Sequence, residues 1–175
     1  MAAARGARRA GYRTVTDSPT DLPADSSTES STGSPAILRI VAALIVDERG
    51  RALMVRKRGT TRFMQPGGKP ESGETDAAAL ARELHEELGL LIAPEELIPV
   101  GQFRADAANE AHTVLDARVF DAPVILNALA GSIEVAQEIE EALWVDPADP
   151  GDVELAPLSS DILLPLLAAR RSSVE

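Results

Sequence analysis

The spacing of apolar residues changes several times along the chain, and each change predicts a different element. Apolar and β-branched residues run almost without interruption over 37–46, and the run resumes at 52–55 after the turn-like sequence 47–50, which ends in glycine. Two short apolar runs joined by such a turn are typical of a β-hairpin. We therefore predict that the folded part of the chain begins with a hairpin.

The same patterns predict three further strands and two helices. The strands are predicted at 97–103, 113–120 and 141–145. Thr75 and Asp76 supply N-cap chemistry for a helix that ends near Gly89. Strands mixed with helices in this proportion predict an α/β (α+β) domain built in layers.

The second helix is predicted near the carboxyl end of the sequence. Ser159 or Ser160 is its predicted N-cap, because serine hydroxyls accept hydrogen bonds from the free N–H groups of a first helical turn. Pro165 lacks a backbone N–H, so we expect it to interrupt or kink this helix.

Composition divides the 175 residues into two regions. Residues 1–35 are rich in Ser, Thr, Asp and Pro and poor in large apolar residues, so we predict a disordered tail. Residues 36–175 carry the hydrophobic patterns and form the predicted folded domain. Basic and acidic residues balance within the tail, so the net charge of −11 belongs to the folded domain.

This negative charge limits what the protein binds. An acidic surface repels the phosphate backbone of nucleic acids, so a duplex partner is not expected. The chain has no cysteine, which excludes zinc–thiolate sites and thiolate nucleophiles. Because no apolar run is long enough to span a bilayer, we expect a cytoplasmic protein with no membrane partner.

Three glutamates lie close together on the first predicted helix. At about 100° per residue, Glu83, Glu86 and Glu87 fall within an arc of roughly 100°, next to an apolar arc that includes Leu80 and Leu84. Carboxylates at these spacings repel one another and weaken an isolated helix by roughly 0.3 kcal/mol per pair. A cation compensates this repulsion, and oxygen donors favour Mg²⁺ or Mn²⁺. The alternative is an acidic helix face in contact with water alone.

The loop before this helix favours the metal-binding interpretation. Gly67, Gly68 and Gly73 allow backbone conformations that other residues avoid, so that a carbonyl there can turn toward a metal. Glycine-rich turns are common, however, and this loop alone would not identify a site.

Together, the loop and the helix resemble the complete Nudix box. Gly68 is followed after five residues by Glu74, and after seven more residues by the run Arg82-Glu83-Leu84-His85-Glu86-Glu87-Leu88-Gly89-Leu90. Every fixed position of the family pattern G-x5-E-x7-R-E-U-x-E-E-x-G-U, in which U is aliphatic, is matched. The order of elements resembles that family over about residues 36–172.

The resemblance implies an α/β/α sandwich with a mixed β-sheet. It also implies a hydrolase that cleaves the phosphoanhydride bond of a nucleoside diphosphate linked to another group, X. The implied metal ligands are Glu83, Glu86, Glu87 and the Gly67 carbonyl. Glu74 and Arg82 would support and orient these carboxylates.

The resemblance leaves the general base open. Glu83 is one candidate, and the family sometimes supplies the base from outside the box. The outside candidates are Glu110, Glu138, Glu140 and Glu141.

Four residues near the second predicted strand are candidate substrate contacts. Arg56, Lys57 and Arg58 form the densest basic cluster in the acidic domain, and Phe63 is an aromatic side chain for stacking on a base. The alternatives are that the basic residues are solvated charges on an edge strand and that Phe63 belongs to the hydrophobic core, which the low aromatic content favours. Alternate side chains of a strand point to opposite faces, so either Arg56 with Arg58, or Lys57 alone, faces the substrate.

The substrate itself is less constrained than the reaction. The domain lacks the extra N-terminal strands of larger, dimeric relatives that cleave ADP-ribose, which favours nucleoside triphosphates, (d)NTPs, as substrates of a monomer or homodimer. ADP-ribose, dinucleoside polyphosphates, oxidised nucleotides and nucleotide sugars are alternative substrates. Two other classes of protein are also considered: a Nudix domain that senses a nucleotide without cleaving it, and an interaction protein whose acidic helix faces water.

Overall fold

The computed structural model describes residues 34–123 and 138–172. The strands are β1 (Ala36–Leu44), β2 (Ala52–Lys57), β3 (Gly67–Gly68), β4 (Ile98–Asp106), β5 (Thr113–Asp121) and β6 (Ile139–Val145). The helical elements are α1 (Asp76–Leu88), a 3₁₀ turn (Pro94–Glu96), a π-helical segment (Leu158–Leu163) and α2 (Leu164–Ser172). Among these helices, none is both long and apolar enough to cross a membrane. Residues 1–33 of the predicted disordered tail lie outside the described residues.

The strands form two sheets. Four strands make a mixed sheet in the order β3-β1-β5-β4, and β2 pairs with β6 in a separate antiparallel sheet. Within the larger sheet β1 runs parallel to β5, whereas its pairing with β3 and the pairing of β5 with β4 are antiparallel. The predicted mixed sheet is confirmed.

The hairpin prediction is correct only at the turn, and the pairing of its two strands is wrong. The Asp47 N–H donates to the Arg51 carbonyl at 2.9 Å, and a single bridge joins Val46 to Ala52. Past this bridge, β1 and β2 belong to different sheets. The second half of β1, from Val41 to Leu44, is buried on both faces, and β1 is a central strand that pairs with β5 along one edge and with β3 at Val41 and Ala42 along the other.

β1 separates two hydrophobic cores. Val41, Ala43 and Ile45 pack in one core with α1, while Ala42 and Leu44 pack in the other with α2. Because successive strand residues point to opposite faces, this division places the sheets between the two helices. The predicted α/β/α sandwich is confirmed.

α1 begins and ends where it was predicted. The Thr75 hydroxyl accepts a hydrogen bond from the Ala78 N–H at 3.2 Å, and Gly89 takes the left-handed conformation, φ 68°, that ends a helix without a Cβ clash. Leu80 and Leu84 are completely buried, and they fix which side of the helix carries the glutamates.

The predicted serine cap of the last helix is wrong. Ser159 and Ser160 lie inside the π-helical segment, where no side chain caps the amino end. Ser159 is completely buried, and its hydroxyl donates to the Gln65 side-chain oxygen at 2.9 Å. The helix changes from π to α geometry at Leu164, next to Pro165, whose missing N–H interrupts the regular ladder as expected.

Candidate active site

A cavity of about 520 Å³ lies against β1, β3 and one side of α1. Gly67, Gly68, Glu83 and Glu86 contribute to its lining near β3. Apolar side chains line much of the rest, and these are Leu38, Ile40, Met64, Leu115, Ala156 and Leu158. The cavity therefore combines an acidic end with a largely apolar wall.

β3 brings the glycine loop onto the helix glutamates. The Gly67 N–H donates to Glu87 Oε2 at 2.9 Å, and Gly68 pairs with Val41 of β1. A Cβ at Gly68 would overlap the Glu83 carboxylate, and a Cβ at Gly67, where φ is 143°, would overlap the Val41 carbonyl. Position 67 therefore requires glycine, because backbone lies beside it, whereas a side chain at position 68 would displace the Glu83 carboxylate.

Arg82 joins three carboxylates. Its Nε and Nη2 donate to the two oxygens of Glu74 at 2.9 and 3.1 Å, and its Nη1 donates to Glu83 and to Glu86, each at 3.0 Å. Nη2 also donates to the Lys69 carbonyl at 3.1 Å. The bond with Glu74 is the main cause that raises the pKa of Arg82 and lowers the pKa of Glu74. The two residues thus stay charged and hold the acidic end of the cavity together.

Glu87 is directed into the protein instead of the cavity. Its side chain is only 3% exposed, and Oε1 lies 2.9 Å from Lys57 Nζ. Burial raises the pKa of Glu87, although Lys57 and the Gly67 N–H oppose this effect. Burial also tends to lower the pKa of Lys57, but attraction to carboxylates, chiefly Glu87, outweighs it and the pKa of Lys57 is raised. Lys57 therefore remains protonated beside Glu87 at neutral pH.

The glutamates are held by basic side chains. Within residues 34–123 and 138–172, no three acidic or histidine side chains converge on one point as ready metal ligands. Arg82 holds Glu83 and Glu86, while Lys57 holds Glu87. A divalent cation at this site would compete with these two basic residues for the carboxylates.

The structure separates the four predicted substrate contacts. Lys57 lines the cavity, and Arg58 is exposed on the turn after β2. Arg56 points away, with its guanidinium 5.5 Å from the centre of the Phe63 ring, and Phe63 is buried in the core beside α2. Of the two arrangements that strand alternation allowed, the structure has Lys57 alone at the cavity.

Only two of the four candidate bases outside the box lie at the cavity. Glu110 and Glu138 line the cavity. Glu140 and Glu141 instead form ion pairs with Arg56, at 2.7 and 3.0 Å. Glu110 and Glu138 are thus the outside acids that the fold brings near Glu83.

Two uncharged amides in the cavity lining were not anticipated from the sequence. Gln65 and Asn109 both line the cavity. Gln65 comes immediately before Pro66 and Gly67, so its position at the start of the glycine loop was the signal that could have singled it out.

Most of the domain is matched by one family model. Residues 37–166 match the model described as NUDIX domain. A protein of Mycobacterium tuberculosis named putative 8-oxo-dGTP diphosphatase 2 is 37% identical over 125 residues, which cover 67% of this chain and 79% of that protein. The 8-oxo-dGTP diphosphatase of Haemophilus influenzae is 37% identical over 71 residues, which cover 38% of this chain and 52% of that protein.

Solved structures share the fold. The solution structure of the E. coli ORF135 protein matches with a TM-score of 0.60 and 25% identity, covering 80% of this chain and 94% of that chain. The crystal structure of MutT protein from Methanosarcina mazei matches with a TM-score of 0.62 and 22% identity, covering 80% and 99% of the two chains.

These matches, together with the glycine loop and the glutamate-bearing helix, define the class of protein. The chain belongs to the NUDIX domain family. It is a Nudix hydrolase, and its class acts on small nucleotides as pyrophosphatases and generally uses divalent metal ions.

Proposed function

We propose that this Nudix hydrolase cleaves a phosphoanhydride bond of (d)NTPs and releases a nucleoside monophosphate. The observation that carries the proposal is the cavity itself, in which Glu83, Glu86 and Gly68 adjoin an apolar wall within about 520 Å³. This volume suits a small ligand. The carboxylates at the acidic end repel the phosphates of a nucleotide unless a cation lies between them. Oxidised purine triphosphates are included, because two relatives are named 8-oxo-dGTP diphosphatase.

The proposed cation is Mg²⁺ or Mn²⁺, held by Glu83, Glu86, Glu87 and the Gly67 carbonyl. All these donors are hard oxygens, which suit such ions, and the missing Cβ of Gly68 leaves room for the Glu83 carboxylate beside the loop. These donors therefore suit a divalent cation chemically, and Glu87 would exchange its contact with Lys57 for the ion. When bound, such an ion neutralises phosphate charge and activates water for attack on phosphorus.

Several side chains have proposed roles around this ion. Arg82 and Glu74 orient the carboxylates through the hydrogen bonds they make. Lys57, a protonated amine in the cavity lining, contacts the phosphates. Glu138 or Glu110 accepts the proton of the attacking water when Glu83 does not, since both acids line the same cavity.

The test is a turnover screen on the purified full-length chain with Mg²⁺ or Mn²⁺. The substrates are (d)NTPs, 8-oxo-dGTP, ADP-ribose, a dinucleoside polyphosphate and a nucleotide sugar, and the products are separated by chromatography. We expect a monophosphate and pyrophosphate from at least one triphosphate, and loss of turnover when Glu86→Gln replaces the wild type or when a chelator is added. Faster cleavage of ADP-ribose or a nucleotide sugar would replace (d)NTPs as the substrate class. Tight nucleotide binding without any turnover would replace the enzyme by a nucleotide sensor.

A further inference from the structure

Gln65, beside the cavity, carries a buried hydrogen-bond donor that has no partner among the described residues. Gln65 is 5% exposed and contributes to the cavity lining. Its Nε2 has less than 1 Å² of accessible surface and no hydrogen-bond partner among the described residues. Buried polar atoms are nearly always paired, so an unpaired donor beside a cavity calls for a ligand acceptor.

Ser159 contacts the oxygen of this amide. The completely buried Ser159 hydroxyl donates to Gln65 Oε1 at 2.9 Å. The backbone next to Gln65 is held too, because the Pro66 carbonyl accepts a hydrogen bond from the Ala43 N–H at 3.0 Å. The oxygen of the amide is therefore engaged, and its two N–H donors are left for a partner.

The wall around Gln65 suits the base of a nucleotide. Ile40, Leu115 and Leu158 present apolar surface in the same cavity, which favours a flat, weakly polar ring over a sugar or phosphate. Asn109, the other uncharged amide in the lining, is exposed on a loop. Gln65 is therefore the more firmly held of the two amides that could read a base edge.

We propose that Gln65 is a specificity-determining residue that donates a hydrogen bond to the 6-carbonyl oxygen of a 6-oxopurine. A slight rotation of the amide brings the covered Nε2 into contact with the ligand. A 6-aminopurine would set its own N–H donors against those of Gln65 and leave both unpaired. The inference rests on the proposed function, since it takes a nucleotide as the occupant of the cavity.

The test measures binding, so it does not depend on turnover. Isothermal titration calorimetry with dIMP and with dAMP, in the presence of Mg²⁺, compares ligands that share the sugar and phosphate but differ in the group at position 6 and in the hydrogen on the adjacent N1. We expect the wild type to bind dIMP at least about tenfold more tightly, because one buried hydrogen bond replaces an unpaired donor. In Gln65→Leu this preference should fall to within about twofold, mainly through weaker dIMP binding.

Three further variants sharpen the result. Gln65→Glu replaces the donor by an acceptor and should reverse the preference toward dAMP. Ser159→Ala removes the hydroxyl that holds the Gln65 amide, so the amide can rotate by 180°. This variant should reduce the preference for dIMP without abolishing binding. Gln102→Leu, a matched change on the exposed part of β4, should leave the preference unchanged. If Gln65→Leu does not fold, Gln65→Met provides an apolar side chain of similar length.

The two proposals fail in different ways. Equal affinity of the wild type for dIMP and dAMP, or an equal loss of both in the Gln65 variants, would overturn the role of Gln65 while leaving the hydrolase intact. Selective binding of dIMP without turnover of any triphosphate would instead overturn the proposed hydrolysis and keep the role of Gln65.

Discussion

Arg82 and Glu74 meet through two parallel hydrogen bonds, from Nε to Oε1 at 2.9 Å and from Nη2 to Oε2 at 3.1 Å. This paired contact fixes the plane of the guanidinium. The remaining nitrogen, Nη1, is then directed at Glu83 and Glu86. Glu74 lies eight residues before Arg82 in the sequence. It therefore acts on the acidic end of the cavity through the Arg82 guanidinium.

We predict that Arg82→Lys and Glu74→Gln have similar and non-additive effects. A lysine ammonium cannot make the paired contact, and glutamine loses the charge that holds the guanidinium, so each variant should lower kcat/KM by about tenfold or more. The double variant should be little worse than either single one. Steady-state kinetics of all four proteins measures this, with circular dichroism as the folding control. Independent, multiplicative losses would show that Glu74 does not act through Arg82.

A second prediction distinguishes the steric effect of a Cβ at the site from the backbone strain that a glycine substitution causes. Gly68→Ala places a Cβ on the Glu83 carboxylate, so it should reduce Mn²⁺ affinity in calorimetry and turnover by about tenfold or more. Gly151→Ala is the matched control, because open space surrounds that position but its φ is +61°. This control should cost about 1 kcal/mol of unfolding free energy and leave kcat/KM unchanged. Normal Mn²⁺ binding by Gly68→Ala would remove Glu83 from the proposed metal site.

The position of α1 was predictable because its signals are local. Thr75 and Gly89 mark the ends of α1, and the apolar stripe with Leu84 fixes its orientation. The spacing of the glutamates on this helix follows from helix geometry alone. Even so, helix geometry did not predict that Glu87 is buried while Glu86 is exposed. This difference depends on the contact of Glu87 with Lys57, which belongs to β2.

Features that depend on pairing between distant segments were not predictable from one sequence. The hairpin failed because β1 pairs with β5, which lies 77 residues further along the chain in every pair from Ala36↔Thr113 to Leu44↔Asp121, and a local turn does not reveal that partner. The serine cap failed for a similar reason. Ser159 resembles a cap locally, but its hydroxyl bonds to Gln65, which precedes it by 94 residues.

A third prediction distinguishes two neighbouring glutamates by stability. The Glu86 side chain is 56% exposed, whereas Glu87 is 3% exposed and paired with Lys57. Glu86→Gln should therefore leave the unfolding free energy almost unchanged. Glu87→Gln should lower it by about 1–3 kcal/mol, because it leaves the Lys57 ammonium without its partner. Urea unfolding in the presence of a chelator measures both. Equal stability of the two variants would mean that the Lys57 contact contributes nothing in solution.

The final prediction concerns the turn after β1 and its dependence on pH. Asp47 accepts hydrogen bonds from the Arg49 N–H at 3.0 Å and from the Arg51 N–H and Nε, each at 2.8 Å. Burial alone would raise the pKa of Asp47, but these bonds and the charge of Arg51 outweigh it and the pKa is lowered. Asp47→Ala should therefore cost about 1–2 kcal/mol of unfolding free energy at pH 7.

A lowered pKa in the folded protein fixes the sign of the pH effect. The folded state holds the ionised carboxylate better than the unfolded state does, so the stabilisation by Asp47 is complete above the unfolded pKa of about 3.9. It is lost as the pH falls through the lower, folded pKa. The difference in stability between the wild type and Asp47→Ala should accordingly shrink on acidification, whereas Asp152→Ala, at an exposed position, should show almost no difference at any pH. Urea unfolding between pH 7 and about pH 3 tests this, and a difference that grows toward low pH would contradict the role assigned to the Asp47 carboxylate.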